Sequence, residues 1–248
     1  MRNTSSHTNP LIFALYGALR LLGGCHLGEA ITHTSRIFWR TAPVTVVIAL
    51  FSGALLVIQT TMSLKHLGGG MMGASVIGFG GVREVFPLLA GGAVATRTGA
   101  ALASEMAVMK QGKQLDALEI MGVDLNFHLI GPRLLGVMIA TPLCVLVADI
   151  AGLYGAFLAG AYQIGLDAGT FWNFLLWPIS NKDIIGGIYK GILFGWVIGS
   201  ISLHAGLNVG TGSFAVGEAT NRAIVQSMIA GSLISLLISF IVYGGLGI

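Results

Sequence analysis

Residues 41–64, TAPVTVVIALFSGALLVIQTTMSL, carry no formal charge and lie between Arg40 and Lys65. A helix needs about 20 mainly apolar residues to cross the hydrocarbon core of a bilayer, so these 24 are enough. Two further stretches match it: the 27 residues between Lys190 and Glu218, and the 26 that follow Arg222. The whole chain agrees. Of 248 residues 54% are hydrophobic and only 9% charged, against about 25% charged in soluble domains. Mean hydropathy is +0.84. Disorder is excluded, because disordered chains are rich in charge and poor in apolar residues. Collagen is excluded, because the 37 glycines keep no period of three. The fold class is all-α, a polytopic membrane protein. The formal charge of +3 points to no nucleic-acid partner. Cys25 and Cys144 lie far apart in apolar surroundings and read as small hydrophobes rather than a disulfide or metal pair.

Five spans are expected: 43–64, 86–109, a third within 129–162, 184–203 and 223–243. Residues 1–10 are polar, and 11–22 are too few to cross. Ile12, Leu15, Leu19 and Leu22 fall near one helical face, which suits an amphipathic helix lying in the interface. The division is therefore 1–40, a polar tail and interfacial helix, and 41–248, a transmembrane domain. Three connections are read as loops. Residues 68–81, glycine-rich and uncharged, form an extracytoplasmic or partly re-entrant stretch. Residues 163–183 hold Trp172, Trp177 and Pro178, suited to an interface. Residues 205–221 are rich in Gly, Asn and Thr.

Positive charge orients the chain. With the N-terminus and 110–127 in the cytoplasm, that side holds Arg2, Arg20, Arg36, Arg40, Lys110, Lys113, Arg133 and Arg222. The other side holds Lys65, Arg83, Lys182 and Lys190. The N-terminus is therefore expected to be cytoplasmic.

Small residues recur every four positions: Gly187, Gly191, Gly195, Gly199; Gly91, Ala95, Gly99, Ala103; Ala148, Gly152, Ala156, Gly160; Ser227, Gly231, Ser235, Ser239. Such stripes let helix backbones approach closely. Ionisable residues inside spans are costly and so informative. Arg83 and Glu84 are expected at the outer start of the second span, Arg97 and Glu105 deeper in it, and Asp149 inside the third. Eight residues separate Arg97 from Glu105, so they project about 80° apart and need not pair. Both a register-fixing polar clamp and a lining for a charged head group remain open for these positions.

Catalytic motifs are weak. None of the six histidines stands in an H-x-x-x-H pair, no G-x-S-x-G elbow occurs, and Gly112-Lys113 lacks the glycine pattern of a phosphate-binding loop. The chain reads as no enzyme and as binding no cofactor or metal of its own. The most polar segment is 110–127. Within it Gln114-Leu115-Asp116-Ala117-Leu118-Glu119-Ile120-Met121 reads as a short helix, with Leu115, Leu118 and Met121 on one side and Asp116 and Glu119 on another. Gly122 is suited to its C-terminal cap. A short amphipathic helix on a loop between spans can dock into a partner's groove.

The run from Lys113 to Asp124, KQLDALEIMGVD, with Pro132-Arg133 after it, resembles the signature of the MlaE/YrbE family of ABC-transporter permeases. Arg83-Glu84-Val85-Phe86-Pro87, the run from Ala95 to Met106, and Gly217-Glu218-Ala219-Thr220-Asn221-Arg222 resemble it too. The likeness runs from about Arg36 to the C-terminus. Lys113 and Leu125 depart from the usual pattern, as does Thr96. The resemblance implies a homodimeric, multi-pass permease in a bacterial inner membrane. It also implies a separate cytoplasmic ATPase that binds ATP and Mg, a hexameric periplasmic MCE-domain protein, a small cytoplasmic accessory subunit, and phospholipid or a related lipid as substrate. It makes 114–121 (Gln114, Leu115, Asp116, Ala117, Leu118, Glu119 and Met121 among them) the ATPase-coupling helix. It places Arg83 and Glu84 at an outward-facing lipid pocket between the two subunits. On that reading Leu55, Leu56 and Ile58 on the first span are candidates to line the acyl-chain region. A secondary transporter or channel for a small amphipathic solute is the alternative; the polar helix and the few ionisable relay groups weigh against it.

Overall fold

The computed structural model describes residues 27–65, 72–163 and 167–243. The expected interfacial helix at 11–22 lies outside them. The described residues form helices and short connections, with no strand among them. The elements are α1 (Leu27–Lys65), α2 (Met72–Gly80), α3 (Phe86–Val94), α4 (Ala100–Gln111), α5 (Gln114–Ile120), α6 (Gly131–Gln163), α7 (Ala168–Leu176), α8 (Asn181–Leu207) and α9 (Ser213–Tyr243). Single π-helical turns at Gly81–Val85, Ala95–Gly99 and Asn126–Ile130 join α2 to α3, α3 to α4 and lead into α6.

Among the described residues five stretches are long and apolar enough to cross a membrane: Gly28–Leu64, Met72–Gln111, Phe127–Tyr162, Asn181–Leu207 and Ser213–Val242. Five spans were expected, and every one of them starts earlier than expected. α1 starts well before Pro43 and runs through it unbroken. Residues 72–81 are helical rather than an open or re-entrant loop, so the second span starts at Met72. Within 163–183 the expected loop holds α7, and within 205–221 only 208–212 fall outside helix. The common cause is that backbone groups at membrane depth must be satisfied internally. Helices therefore extend past the apolar stretches that mark them.

The chain divides into two compact units. Of the described residues, one unit holds those within Met1–Arg40, Val94–Thr141 and Ile192–Leu233, and the other those within Thr41–Ala93, Pro142–Gly191 and Ile234–Ile248. In lipid the hydrophobic effect gives little drive between helices, and close packing takes over. The second unit is packed around Phe86, Val57, Val145, Phe171 and Leu175. There α1 and α6 meet backbone to backbone: a Cβ on Gly53 would overlap the Gly152 carbonyl, and one on Gly155 the Leu50 carbonyl. Gly152 and Gly160 each seat an aromatic ring, Phe86 and Phe171. α7 lies on α2, where Gly78 faces the Leu175 carbonyl and Ser75 Oγ donates to the Phe174 carbonyl at 3.0 Å. In the first unit α8 presses on α6 through Gly195, whose Cβ would stand 2.7 Å from Met138 Cα, and Gly199, 2.7 Å from Leu134 Cδ1. The fifth-span stripe behaves differently. A Cβ on Gly231 would meet Phe194 only at 3.9 Å, ordinary contact, while Ser227 and Ser235 are buried.

α7 begins at an N-cap. Asp167 accepts hydrogen bonds from Thr170 N at 2.8 Å and Thr170 Oγ1 at 2.7 Å. These bonds hold the Asp167 carboxyl below its ordinary value. A carboxyl lowered by folding stabilises above its unfolded value of about 3.9, and that contribution fades as pH falls through the folded value. Protection of the 168–171 amides, their exchange rate relative to that of an unstructured chain at the same pH, is therefore expected to fall on acidification below about pH 4. In Asp167→Ala that protection should be low at every pH. Equal exchange rates in the two proteins at neutral pH would contradict the cap.

Candidate functional site

The π-helical turn Gly81–Val85 carries Arg83 and Glu84. Such turns cluster at functional sites because the extra residue re-aims side chains. The two neighbours do not pair with each other. Arg83 Nε donates to Asp183 Oδ1 at 2.6 Å, and its guanidinium lies 3.7 Å from the Phe79 ring centre. The Asp183 side chain is 1% exposed, and its other oxygen accepts from Ser180 N at 2.8 Å. Glu84 turns to Lys190. Lys190 Nζ donates to Glu84 Oε1 at 2.9 Å, to the Arg83 carbonyl at 2.6 Å and to Ser239 Oγ at 2.6 Å. Ser239 Oγ in turn donates to Glu84 Oε1, and Ser235 Oγ to Glu84 Oε2 at 3.1 Å. A charged clasp thus ties the π turn to α8 and α9. It is graded by depth: the Lys190 side chain is 1% exposed, Arg83 19% and Glu84 43%.

Arg83 and Glu84 are not at the start of the second span, as expected, but more than ten residues inside it. Asp183, Lys190, Ser235 and Ser239 were missed as site residues. The signal was present: Lys190 closes the uncharged run to Glu218, and the serines sit one turn apart in the fifth stripe. Asp149 is buried on α6 in the same unit. Leu55, Leu56 and Ile58 do not share one environment: Leu55 is exposed, while Leu56 and Ile58 pack on the core.

In the other unit, α5 is bracketed by two left-handed residues. Lys113 has φ 53° and Gly122 φ 78°. At the C-terminus Gly122 N donates to the Glu119 carbonyl at 3.0 Å and Val123 N to the Leu118 carbonyl at 3.1 Å, the paired pattern of a Schellman cap. Gly122 is therefore the residue beyond the cap, as its sequence position suggested. The expected single apolar face is split. Leu115 is buried and Leu118 half-buried, while Ile120 and Met121 stand out at 87% and 68% exposure. Gln114, Asp116, Ala117 and Glu119 are exposed. The end of α4 grips the α8–α9 connection. Lys110 Nζ donates to the Leu207 carbonyl, and Gln111 Nε2 donates to Gly210 and Gly212 carbonyls at 3.1 and 2.7 Å. Arg97 is exposed on the second π turn. Glu105 pairs with Arg133 at 3.3 Å, not with Arg97.

A family model described as Permease MlaE matches residues 30–241. The chain belongs to the MlaE permease family. The MlaE match takes in α5 and every member of the clasp. A probable ABC transporter permease protein of Rickettsia typhi is 34% identical over 193 residues, 78% of this chain and 74% of the relative. The intermembrane phospholipid transport system permease protein MlaE of Haemophilus influenzae is 28% identical over 196 residues, 79% and 75% of the two chains. The chloroplastic protein trigalactosyldiacylglycerol 1 of Arabidopsis thaliana is 26% identical over 230 residues, 92% and 66% of the two chains. This MlaE-family chain is thus a multi-pass membrane protein of an ABC-transporter permease family.

Proposed function

We propose that the chain is the membrane subunit of an ABC transporter that moves phospholipid or a related lipid, working as a homodimer. ATP and Mg belong to a separate cytoplasmic ATPase. On the far side of a bacterial inner membrane a hexameric MCE-domain protein receives or delivers the lipid, and a small accessory subunit joins on the cytoplasmic side. The N-terminus is cytoplasmic, following the positive charges.

The observation that carries this reading is α5. A seven-residue helix is too short to persist alone in water, yet it is fixed at both ends and presents Ile120 and Met121 outward. That arrangement suits docking into a partner's groove. Movement of the docked ATPase pulls on α4 and α6, and through Lys110 and Gln111 on the α8–α9 connection. In the clasp, Arg83 offers a guanidinium that can meet a lipid phosphate by charge-assisted hydrogen bonds, with Leu55 exposed towards acyl chains. Arg97, Glu105 and Asp149 are read as the polar framework of the spans.

Ile120→Asp tests the docking. The variant is expected to weaken association with the ATPase by about a hundredfold, the scale of a buried hot-spot residue, while the purified permease keeps its melting temperature. Leu118→Arg should behave alike. Undiminished association and lipid-stimulated ATP hydrolysis in both variants would remove α5 from the coupling path.

A further inference from the structure

Lys190 poses a problem that the clasp alone does not solve. An ammonium has three N–H groups, and all three are used, on the Arg83 carbonyl, Glu84 and Ser239. With the side chain 1% exposed, the cation needs a counter-charge at every stage, since a buried charge left alone is strongly unfavourable. If Glu84 were the sole counter-charge, Glu84 would never be released to a substrate. Yet Glu84 is the clasp member most open to its surroundings, at 43%.

A second carboxyl group lies on the other side. Asp149 is 7% exposed, and its Oδ1 carries no hydrogen bond among the described residues. It faces α8 at Gly187, where a Cβ would stand 3.7 Å from Asp149 Oδ2. Gly187 lies one turn before Lys190, and the bare glycine leaves that face of α8 open. Asp149 also lies within Coulombic reach of the Lys190 ammonium. Nothing in the clasp uses it.

We propose that Asp149 is a positioning residue, the reserve counter-ion that takes Lys190 when Glu84 turns to the ammonium of a zwitterionic phospholipid head group. The inference rests on the lipid-transport reading and narrows its substrate class. Glu84 exchanges one ammonium for another, Ser235 and Ser239 remain as its hydroxyl partners, and the neighbouring Arg83 takes the phosphate. At rest Asp149, a buried acid without a partner, keeps its proton; as Lys190 reaches it that proton leaves to water, so that Lys190 passes from one carboxylate to another and no buried charge is left alone. A head group with a phosphate and no ammonium has nothing to exchange and brings a further negative charge beside Glu84.

The test uses the full-length chain co-purified with its ATPase partner and equilibrated in nanodiscs of equal phosphatidylethanolamine and phosphatidylglycerol. Bound lipid is read by native mass spectrometry. The wild type is expected to hold phosphatidylethanolamine over phosphatidylglycerol by about tenfold, the worth of one charge-assisted hydrogen bond. Asp149→Asn should bring that ratio near one with total bound lipid retained, and Asp149→Glu should restore it. Should the isosteric variant not assemble, Asp149→Ser gives the same reading with a smaller polar group. A wild-type ratio of one, an unchanged ratio in Asp149→Asn, or a parallel loss of both lipids would overturn the proposal, the last marking a merely structural role. Absence of any bound lipid from the wild type would overturn the transport reading itself.

Discussion

Lys190→Met is expected to lower the stability of the detergent-solubilised protein by about 3 kcal/mol, at the lower edge of the usual cost of removing one partner from a buried ion pair. The lower edge applies because Glu84 is partly open to solvent, which screens the charge left behind. Methionine fills a similar volume, so the loss comes from the unpaired groups. Glu84 keeps only Ser235 and Ser239, and the Arg83 carbonyl and Ser239 lose their shared donor. A fall of several degrees in the unfolding midpoint is expected. Lys190→Arg should not rescue it, because a planar guanidinium does not present three donors in the tetrahedral arrangement of an ammonium. Adding Glu84→Gln to Lys190→Met should recover part of the loss by removing the orphaned charge. A midpoint unchanged in Lys190→Met would mean that the clasp holds nothing together.

Gly53→Ala and Gly155→Ala are expected to cost as much or more. At each position the added carbon falls on a backbone carbonyl of the facing helix, Gly152 or Leu50, and a carbonyl in a helix cannot rotate away as a side chain can. α1 and α6 must separate, and every contact along that seam loosens with them. Overpacking commonly costs about 1–3 kcal/mol and more where backbone must shift. Loss of monodisperse protein in size-exclusion chromatography is the expected readout. Gly217→Ala is the contrast. Gly217 lies inside α9, and a Cβ there would meet nothing within 4 Å. Alanine at that position should stabilise by about 0.5–1 kcal/mol through helix propensity. If all three variants melted alike, close backbone approach would not be what separates these glycines.

The class of fold was legible because a bilayer demands long uncharged stretches, and 41–64 and 223–243 are unmistakable on that ground. The ends of the helices were not legible. Ser213, Glu218 and Asn221 look like loop residues, yet they are helical because α9 carries its hydrogen bonds past its apolar part. The small-residue stripes were read correctly as packing surfaces on α6 and α8, but Gly53, which makes one of the closest contacts, belongs to no stripe. Arg83 and Glu84 stood out as rare charges. Their partners did not, because Lys190 and Asp183 lie about a hundred residues away, and no local pattern says which charge meets which. The π turn that splits Arg83 from Glu84 has no sequence signature at all.

The clasp also bears on how the chain is made. A lysine carried to membrane depth costs about 2.5–3.5 kcal/mol at insertion. α8 enters after the π turn, 106 residues behind Glu84, so the acid that neutralises its lysine is already in place. Ser235 and Ser239 arrive only with α9. The clasp is therefore closed by a helix that follows α8 out of the ribosome, and a chain cut short before Ser235 would present a neutralised but incompletely hydrogen-bonded site to the quality-control machinery of the membrane.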